Sequence, residues 1–386
     1  MSAPGRGGPL AGVRVLEFTG LGPTPFCAMV LADLGAEVVR VERCGLPSAA
    51  PGALDRRHVL TRGRPAVGMD LTDGRVRDMV LGMLGHADVT VEGFRPGVME
   101  RLGLGPDPAL AANPRLVYGR VTGYGREGPL ADEAGHDINY VALAGALDPI
   151  GGRGRGPVPP LNLVADFGGG GMLLATGILA ALVERSSSGR GQVVDAAMVD
   201  GAALLTTMFH EMRAAGAWRD ERGTNSLDGG AHYYNVYETI DGRHLAVGAM
   251  EPRFYRAFME GLGYRGAAVP PQDDPARWEH LTAEVAAVVR TRTQAEWVET
   301  FAGTDACVTP VQSLAEAPAH PQLRDRATFV EVGGVTTPAP APRFGRTPAA
   351  LPTPPPPPGV HDLGALASFG VGPEDLAPLL DDGVVD

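Results

Sequence analysis

The feature that most constrains the fold is an alternation of strand and helix patterns in the first third of the chain. Short valine-rich apolar runs, which are typical of buried strands, are separated by stretches with helical spacing. Strands are predicted for VRVLEFT (Val13 to Thr19), AEVVRVE, ADVTVEG and LVYGRVTG, and helices for TPFCAMVLADLG, which Gly35 closes, and near 76–84 and 108–112. This alternation predicts an α/β fold built on a parallel, doubly wound sheet.

The sequence changes character after Val164. Two long apolar stretches, GGGGMLLATGILAALVER and VVDAAMVDGAALLTTMFHEMRAAG, predict helices rather than edge strands. A second αβ region follows at about 236–311, and its strand HLAVGAM and three helices near 253–261, 278–290 and 294–302 predict a smaller domain. A proline-dense connector, which we expect to be extended, then leads to two short C-terminal helices.

Composition excludes several classes of protein. All 33 basic residues are arginine, and the net charge is −12. The absence of lysine excludes Schiff-base enzymes and the lysine of nucleotide-hydrolysing phosphate loops. An acidic chain is a poor nonspecific ligand for nucleic acid, so phosphate recognition must be local. Cys27, Cys44 and Cys307 are too far apart for a disulfide framework or a CxxC metal site, and we expect Cys27 and Cys307 to be small core residues.

The longest apolar run, Gly170–Val183, is shorter than the roughly 20 residues that cross a bilayer. We therefore expect a buried helix and no membrane span. The N-terminal MSAPGRGGPLAG lacks the ordered regions of an export signal. The predicted location is the cytoplasm.

The loop FTGLGPTP after the first predicted strand nearly matches a dinucleotide-binding fingerprint. Gly20 and Gly22 fit G-x-G-x-x-G, and Glu42 follows at the usual interval, but Pro25 stands where the third glycine is needed for close packing of helix on strand. We therefore do not expect a nicotinamide cofactor. A proline in the first turn of a helix explains the loop sufficiently.

Arginines lie near the ends of the predicted strands. Arg43 follows VVRVE, Arg95 and Arg101 follow VTVEG, and Arg62 and Arg64 lie in the loop between these strands. Ligands of doubly wound sheets bind beyond the carboxyl ends of the strands, so these guanidinium groups could converge on phosphates. The alternative for any one of them is an unrelated surface charge.

His136 follows the fourth predicted strand and the loop GYGREGPL, which puts it near the same crevice. An acid/base role is one reading, and a structural or merely exposed imidazole is the other. Its neighbour Asp137 could cap the helix INYVALAG. Asp166 precedes four glycines in NLVADFGGGGM, so it could cap that helix, or act as base or nucleophile beside amides that hold an oxyanion.

Long motifs in the same order identify a resemblance. The chain resembles the family III CoA transferases from about Leu10 to Phe344, and within them most closely the α-methylacyl-CoA racemases. The matching stretches are LAGVRVLEF, LADLGAEVVRVER, DVTVEGFRPGVMERLGLG, GRVTGYGREGPL, AGHDINYVALAG, PVPPLNLVADFGGGG, GQVVDAAMVDG, GAMEPRFY and CVTPV. The loop CGLPSAAPGALDRRHVL matches poorly, which leaves the roles of His58 and Arg62 open.

The resemblance implies the domain organisation. A large Rossmann-like, CoA-binding domain would span 1–215 and be completed by 330–386. A small α+β domain would span 233–311, with linkers at 216–232 and 312–329. The resemblance also implies an interlocked homodimer in which the active sites combine both chains.

Site residues follow from the resemblance in the same way. His136 and Asp166 would be the catalytic pair, and Glu251, in AMEP, would reach the site from the partner chain and support His136. The substrate would be an acyl-CoA thioester, with CoA carried as part of the substrate and no other cofactor. Residues at positions that contact CoA are Arg43, Met69, Asp70, Leu71, Thr72, Gly93, Phe94, Arg95, Arg101, Gly135, Asp137, Ile138, Asn139 and Tyr140.

The chemistry implied is inversion at the carbon next to the thioester. His136 would remove the proton on one face while protonated Asp166 donates on the other, and the roles would reverse for the other enantiomer. Amides around Asp166 and the glycines are the predicted donors to the enolate oxygen. Two alternatives stay open at this point: a CoA transferase in which Asp166 attacks the thioester, and a catalytically silent acyl-CoA-binding protein.

Overall fold

The computed structural model describes residues 7–45, 59–357 and 359–386. The chain divides into two compact units. Unit 1 consists of Met1–Ala144, Leu161–Leu205 and Pro321–Asp386, and unit 2 of Gly145–Pro160 and Thr206–His320. Residues 145–160 and 206–215 therefore cluster with unit 2, whereas the sequence predicted them within the large domain. The predicted functional division into a CoA-binding and a small domain stays a prediction.

Unit 1 is built around a six-stranded, fully parallel sheet with the strand order β3-β2-β1-β4-β5-β6. The strands are β1 Arg14–Phe18, β2 Glu37–Arg43, β3 Ala66–Met69, β4 Val89–Glu92, β5 Val117–Thr122 and β6 Val193–Ala197. The order reverses between β1 and β4, the place where such sheets open a ligand crevice. The predicted α/β class with a parallel sheet is confirmed.

Helices of unit 1 connect and cover these strands. They are α1 Pro23–Asp33, α2 Gly74–His86, α3 Val98–Arg101, α4 Pro106–Ala112, α5 Asp137–Leu143, the π-helix Leu163–Met172, α6 Leu173–Ser188 and α7 Met198–Leu204, followed after unit 2 by α12 Pro321–Asp325 and α13 Pro373–Asp381. Short 3-10 turns lie at Val59–Thr61 and Leu363–Phe369. The 3-10 turn at 363–369 and α13 confirm the two predicted C-terminal helices.

Two strands of the six-stranded sheet, β3 and β6, were missed by the sequence analysis. β3 is only four residues long and contains Gly68, so its apolar pattern is too short to stand out. β6 was predicted to begin a long helix, which is wrong: residues 193–197 pair with β5, and α7 begins at the next residue. VVDAA and MVDGAAL have similar apolar content, so periodicity could not locate the boundary between them.

The C-terminus completes unit 1. Leu366, Phe369 and Leu379 are buried against Val80 and Met83 of α2 in one apolar cluster. At the C-terminus, Asp386 and Gly68 exchange two backbone hydrogen bonds of 3.0 Å. The amide of each residue donates to the carbonyl oxygen of the other. The last residues therefore cover the outer edge of β3. The first residues of the predicted connector, 336–338, belong to a strand, but residues 341–357, which hold most of the proline tract, form no helix or strand, as predicted.

One helical segment of the described chain, Leu163–Ser188, is long and apolar enough to cross a membrane by length and composition. Core helices of soluble proteins pass the same test. Here Leu174 and Ile178 are fully buried, whereas Val183 is 71% exposed, so the predicted buried helix is buried on one face only.

Unit 2 holds a three-stranded antiparallel sheet, β7 Tyr234–Glu238, β8 His244–Gly248 and β9 Val308–Pro310. Its helices are α8 Thr207–Ala214, α9 Pro252–Gly261, α10 Trp278–Val289 and α11 Gln294–Phe301, with 3-10 turns at Gly266–Ala268 and Ala317–Ala319. Phe258 and Trp297 anchor its apolar core.

Unit 1 also contains a hairpin of β10 Phe329–Val332 and β11 Val335–Pro338. Cys27 is buried as predicted, but Cys307 is exposed and is not a core residue.

Candidate active site

A cleft of about 480 Å³ opens at the carboxyl ends of β1, β4 and β5. Its walls are the loops that follow these strands, at 21–24, 93–96 and 122–124, and the segment that leads into α5. His136 and Asp166 both line it. The fold therefore brings together the two residues that the sequence predicted as a catalytic pair.

His136 occupies the N-cap position of α5 and has an extended backbone, so the helix begins at the next residue. Its amide donates to Asn139 Oδ1 at 3.0 Å, which satisfies one donor at the helix start. The imidazole is exposed. An exposed ring on a fixed backbone can exchange protons with a ligand in the cleft.

Asp166 lies in the first turn of the π-helix, four residues after Asn162. Asn162 Nδ2 donates to Asp166 Oδ2 at 3.2 Å. Burial raises the pKa of the Asp166 carboxyl above its usual range, and the charge of Asp137 raises it further, while the Asn162 hydrogen bond and His136 act in the opposite direction. A half-buried carboxyl with a raised pKa can serve as acid and as base near neutral pH.

The structure places the Asp137 side chain differently from a cap of its own helix. Its Oδ2 accepts hydrogen bonds from the amides of Ala165 and Asp166, both at 2.7 Å, and the residue is only 4% exposed. The prediction that Asp137 caps its own helix is therefore wrong. It instead ties α5 to the start of the π-helix. This pairing is tertiary, so no local pattern could have predicted it.

The glycines after Asp166 serve close packing. A Cβ on Gly169 would lie 2.8 Å from the Ala202 amide nitrogen, and one on Gly171 would lie 2.7 Å from Phe26 Cδ1. The π-helix therefore approaches α1 and α7 more closely than any side chain would allow. Since the amide of Asp166 is also occupied, the predicted oxyanion donors around Asp166 and the glycines are not supported.

Unlike the amide of Asp166, the first two amides of α5 are free to bind a ligand oxygen. The amide nitrogens of Asp137 and Ile138 have no acceptor within the described part of the chain. They belong to the two residues that come after His136 in the chain.

The predicted CoA-binding residues lie at the carboxyl edge of the sheet. Arg43 ends β2 and pairs in register with Met69, the last residue of β3. Asp70 accepts from the Thr72 amide at 3.0 Å and from its hydroxyl at 2.6 Å, which forms a tight turn around Leu71 and lowers the pKa of Asp70.

The remaining strand-end residues follow β4. Gly93, Phe94 and Arg95 line the cleft, and the Phe94 amide donates to Glu92 Oε2 at 2.8 Å. Arg101 ends the short helix α3. Arg43, Arg95 and Arg101 are exposed, so their charges are available to a ligand.

Arg62 and Arg64 do not join them. Arg62 is 2% exposed, and its Nε donates to Asp33 Oδ1 at 3.2 Å. Arg64 is 1% exposed and lies 3.1 Å from Glu17 Oε2. The prediction that these two forks converge on phosphates is wrong, because both are used inside the fold.

Two tyrosines close one side of the cleft. The rings of Tyr124 and Tyr140 meet edge to face, with centroids 4.9 Å apart. A Cβ on Gly135 would lie 2.8 Å from Tyr140 Cε1, so glycine there makes room for the pair. Burial raises the pKa of Tyr140 to about 12. Of the predicted segment, Gly135 and Tyr140 line the cleft, and Ile138 is 40% exposed.

The sequence analysis missed Tyr124 and Asn162. Tyr124 lies in the motif GYGREGPL, and Asn162 stands one helical turn before Asp166, so both carried a usable signal. Glu251 belongs to unit 2, where it is exposed at the N-cap position of α9. His58 and most of the poorly matched loop, 46–58, lie outside the described residues.

The chain matches the model of CoA-transferase family III over residues 10–362. It is 45% identical over 380 residues to an α-methylacyl-CoA racemase of Mus musculus and 42% identical over 381 residues to that of Homo sapiens, each alignment covering 98% of this chain and 97% of the relative. Its fold is similar to the crystal structure of Rv3272 from Mycobacterium tuberculosis, with a TM-score of 0.74 and 30% identity, over 91% of this chain and 97% of the other. Rv3272 is named a probable fatty acyl-CoA transferase. The chain therefore belongs to CoA-transferase family III.

Proposed function

We propose that this chain is an isomerase that interconverts the (R) and (S) forms of 2-methylacyl-CoA thioesters by proton transfer through an enolate. The observation that carries the proposal is that His136 and Asp166 line one cleft at the switch point of the sheet. Relatives named α-methylacyl-CoA racemase at 45% and 42% identity over nearly the full chain support the same activity.

The mechanism uses one acid and one base on opposite faces of the substrate. The proton next to a thioester carbonyl is weakly acidic, so its removal needs a base and a donor for the enolate oxygen. His136 removes the proton from one enantiomer while Asp166 donates to the opposite face, and the roles reverse for the other. The raised pKa of Asp166 supports this assignment, because it keeps a protonated fraction available.

The enolate oxygen is assigned to the start of α5. Because the Asp166 amide is engaged by Asp137, we replace the donors predicted from the sequence by the amides of Asp137 and Ile138. They adjoin His136, which puts the negative oxygen beside the base that creates it.

CoA is assigned to the exposed arginines along the carboxyl edge. Arg43, Arg95 and Arg101 carry permanent charge and have forked donors suited to phosphate oxygens. The turn at 69–72 and the segment 135–140 complete the proposed contacts, with Asp137 contributing its backbone amide and not its buried side chain. We propose no cofactor besides the CoA of the substrate, and a cytoplasmic location.

The proposed assembly is an interlocked homodimer in which Glu251 of the second copy supports His136. Unit 1 exposes large apolar side chains on and beside α5, the π-helix and α7, and such patches are typical of interfaces. They are Ile138, Leu143, Leu161, Leu163, Met172, Leu204 and Leu205.

Complementation tests this assembly. H136A and E251A should each fail to racemise the thioester, but co-refolding them should restore racemisation in about one quarter of the sites, because one site of each mixed dimer then has both residues intact. Mixtures as inactive as the separate variants would rule out a shared site.

The second candidate function is CoA transfer, which the name of the relative Rv3272 and the accessible Asp166 carboxylate favour. Asp166 would then attack the thioester and form a mixed anhydride. Single-base variants distinguish the two. Under our proposal, H136A loses inversion and keeps proton exchange with one enantiomer only. An H136A variant that passes CoA to a carboxylate at the wild-type rate would support the transferase.

A further inference from the structure

The residue that directly follows His136 is bonded to the backbone of Asp166. Asp137 Oδ2 lies 2.7 Å from the Asp166 amide nitrogen and 2.7 Å from that of Ala165. Asp137 is the first residue of α5, so one side chain joins the element that carries His136 to the element that carries Asp166.

This carboxylate is not a surface group that happens to lie nearby. Asp137 is 4% exposed, and its second oxygen, Oδ1, is buried without a hydrogen-bond partner among the described residues. An unpaired buried carboxylate oxygen is costly. A neutral side chain could accept the same two amide hydrogen bonds, so the presence of a charge here needs its own explanation.

We infer that Asp137 is a positioning residue that fixes the separation of His136 and Asp166 and sets the charge around Asp166. This inference rests on the proposed function and goes beyond the predicted role of Asp137 as a CoA contact. Reactions that need two groups on opposite faces of one carbon are sensitive to their spacing, and an error of 1 Å can reduce the rate about 10²-fold.

The charge of Asp137 also acts directly on Asp166. A second negative charge disfavours ionisation of Asp166 and so keeps its proton available. The other groups facing Asp166 are His136 and Tyr140 from α5 and Asn162 from the start of the π-helix. Gly22, in the loop before α1, also adjoins the Asp166 carboxylate, while α1 and α7 pack through Phe26 and Met198 against the glycines that follow it.

Two substitutions separate geometry from charge. D137A removes the hydrogen bonds and the charge, and D137N keeps an acceptor for both amides but removes the charge. The matched control is D88N, since Asp88 Oδ2 also accepts a backbone hydrogen bond, from Arg14 at 2.9 Å, and its Oδ1 pairs with Arg185 at 3.0 Å. Asp88 precedes β4, at the opposite edge of the sheet from the cleft.

The measurement is α-proton exchange with each enantiomer of a 2-methylacyl-CoA, as kcat and KM against pH, for the full-length protein. We expect D137A to lose about 10²-fold in kcat with KM unchanged. We expect D137N to keep most of the rate but to move the pH limb that reports on Asp166 to lower pH. D88N should lower only the thermal stability.

Three results would overturn the inference. The first is a D137A variant with a raised KM and an unchanged kcat, which is the signature of a CoA contact. The second is a D137N pH profile equal to that of the wild type, and the third is a D137A kcat as little affected as that of D88N. If D137A does not fold, the D137N profile still decides. Wild-type exchange tests the proposed function separately. If the wild type transfers CoA instead, the same variants are compared for that rate, because Asp166 needs the same positioning as a nucleophile.

Discussion

Gly22 leaves open the space that the Asp166 carboxylate occupies. Gly22 has φ of 63°, in the left-handed region, and a Cβ built on it would lie 3.0 Å from Asp166 Oδ2. The loop after β1 therefore presses against the proposed acid through a residue that has no side chain.

We expect G22A to reduce activity more than its backbone cost explains. Alanine at this positive φ costs about 1–3 kcal/mol, and the added methyl group also displaces the Asp166 carboxylate. The control is G12A, because Gly12 has φ of 89° and nothing within 4 Å of its Cβ position. Both variants should lose similar stability by urea unfolding, but only G22A should lose kcat. Equal kcat in both would show that the contact with Asp166 has no catalytic role.

The raised pKa of Asp166 predicts that removing its charge stabilises the protein at neutral pH. Because burial raises that pKa in the folded state, ionisation at neutral pH opposes folding, and the stability is lost as pH rises through the folded-state pKa. D166N should therefore raise the melting temperature at pH near 7, and the gain should vanish below about pH 4, where the unfolded carboxyl is also protonated. D70N is expected to show the opposite direction, because hydrogen bonds from Thr72 lower the pKa of Asp70. A D166N protein less stable than the wild type at neutral pH would contradict the raised pKa.

The glycines of the π-helix can be tested by packing. G169A should destabilise the protein by about 1–3 kcal/mol, because its methyl group meets the backbone of Ala202 at 2.8 Å. Gly82 in α2 is the matched helical glycine, with nothing within 4 Å, and G82A should stabilise by about 0.5–1 kcal/mol. The free energy of unfolding in urea measures both. If the two variants change it in the same direction, close packing is not what the glycine at 169 provides.

The two classes of arginine should differ in what their loss affects. R62A leaves the buried Asp33 carboxylate without its guanidinium partner and should cost about 3–5 kcal/mol of unfolding free energy. R95A should stay within about 0.5 kcal/mol of the wild type, because Arg95 is exposed, and should raise the KM for the CoA thioester. An R95A variant with an unchanged KM would remove Arg95 from the proposed CoA contacts.

The sequence predicted four strands of the sheet and the position of the cleft, because the patterns that mark these strands are local. β1, β2, β4 and β5 each carry a compact apolar run, and the loops that follow them bring His136 and Asp166 to one edge. The predicted unit 2 helices near 253–261, 278–290 and 294–302 are confirmed as α9, α10 and α11 for the same reason.

The site predictions that were wrong concern side chains whose partners are distant in sequence. Arg62 and Arg64 precede β3 instead of following a strand as Arg95 does, and they pair with Asp33 and Glu17 in the interior. Asp137 has the side chain of a helix cap, yet it binds amides 28 and 29 residues away. No spacing rule within one element distinguishes these outcomes, because the deciding partner lies on another element.

The most direct test of the account is proton exchange in deuterated buffer with the purified wild-type protein and a single enantiomer of a 2-methylacyl-CoA. Deuterium content and chirality at the α carbon are followed together. We predict incorporation of one deuterium with progressive loss of chirality toward an equal mixture of the two forms. An unexchanged, still chiral thioester, with CoA passed to an added carboxylic acid, would contradict the proposed isomerase and make Asp166 a nucleophile.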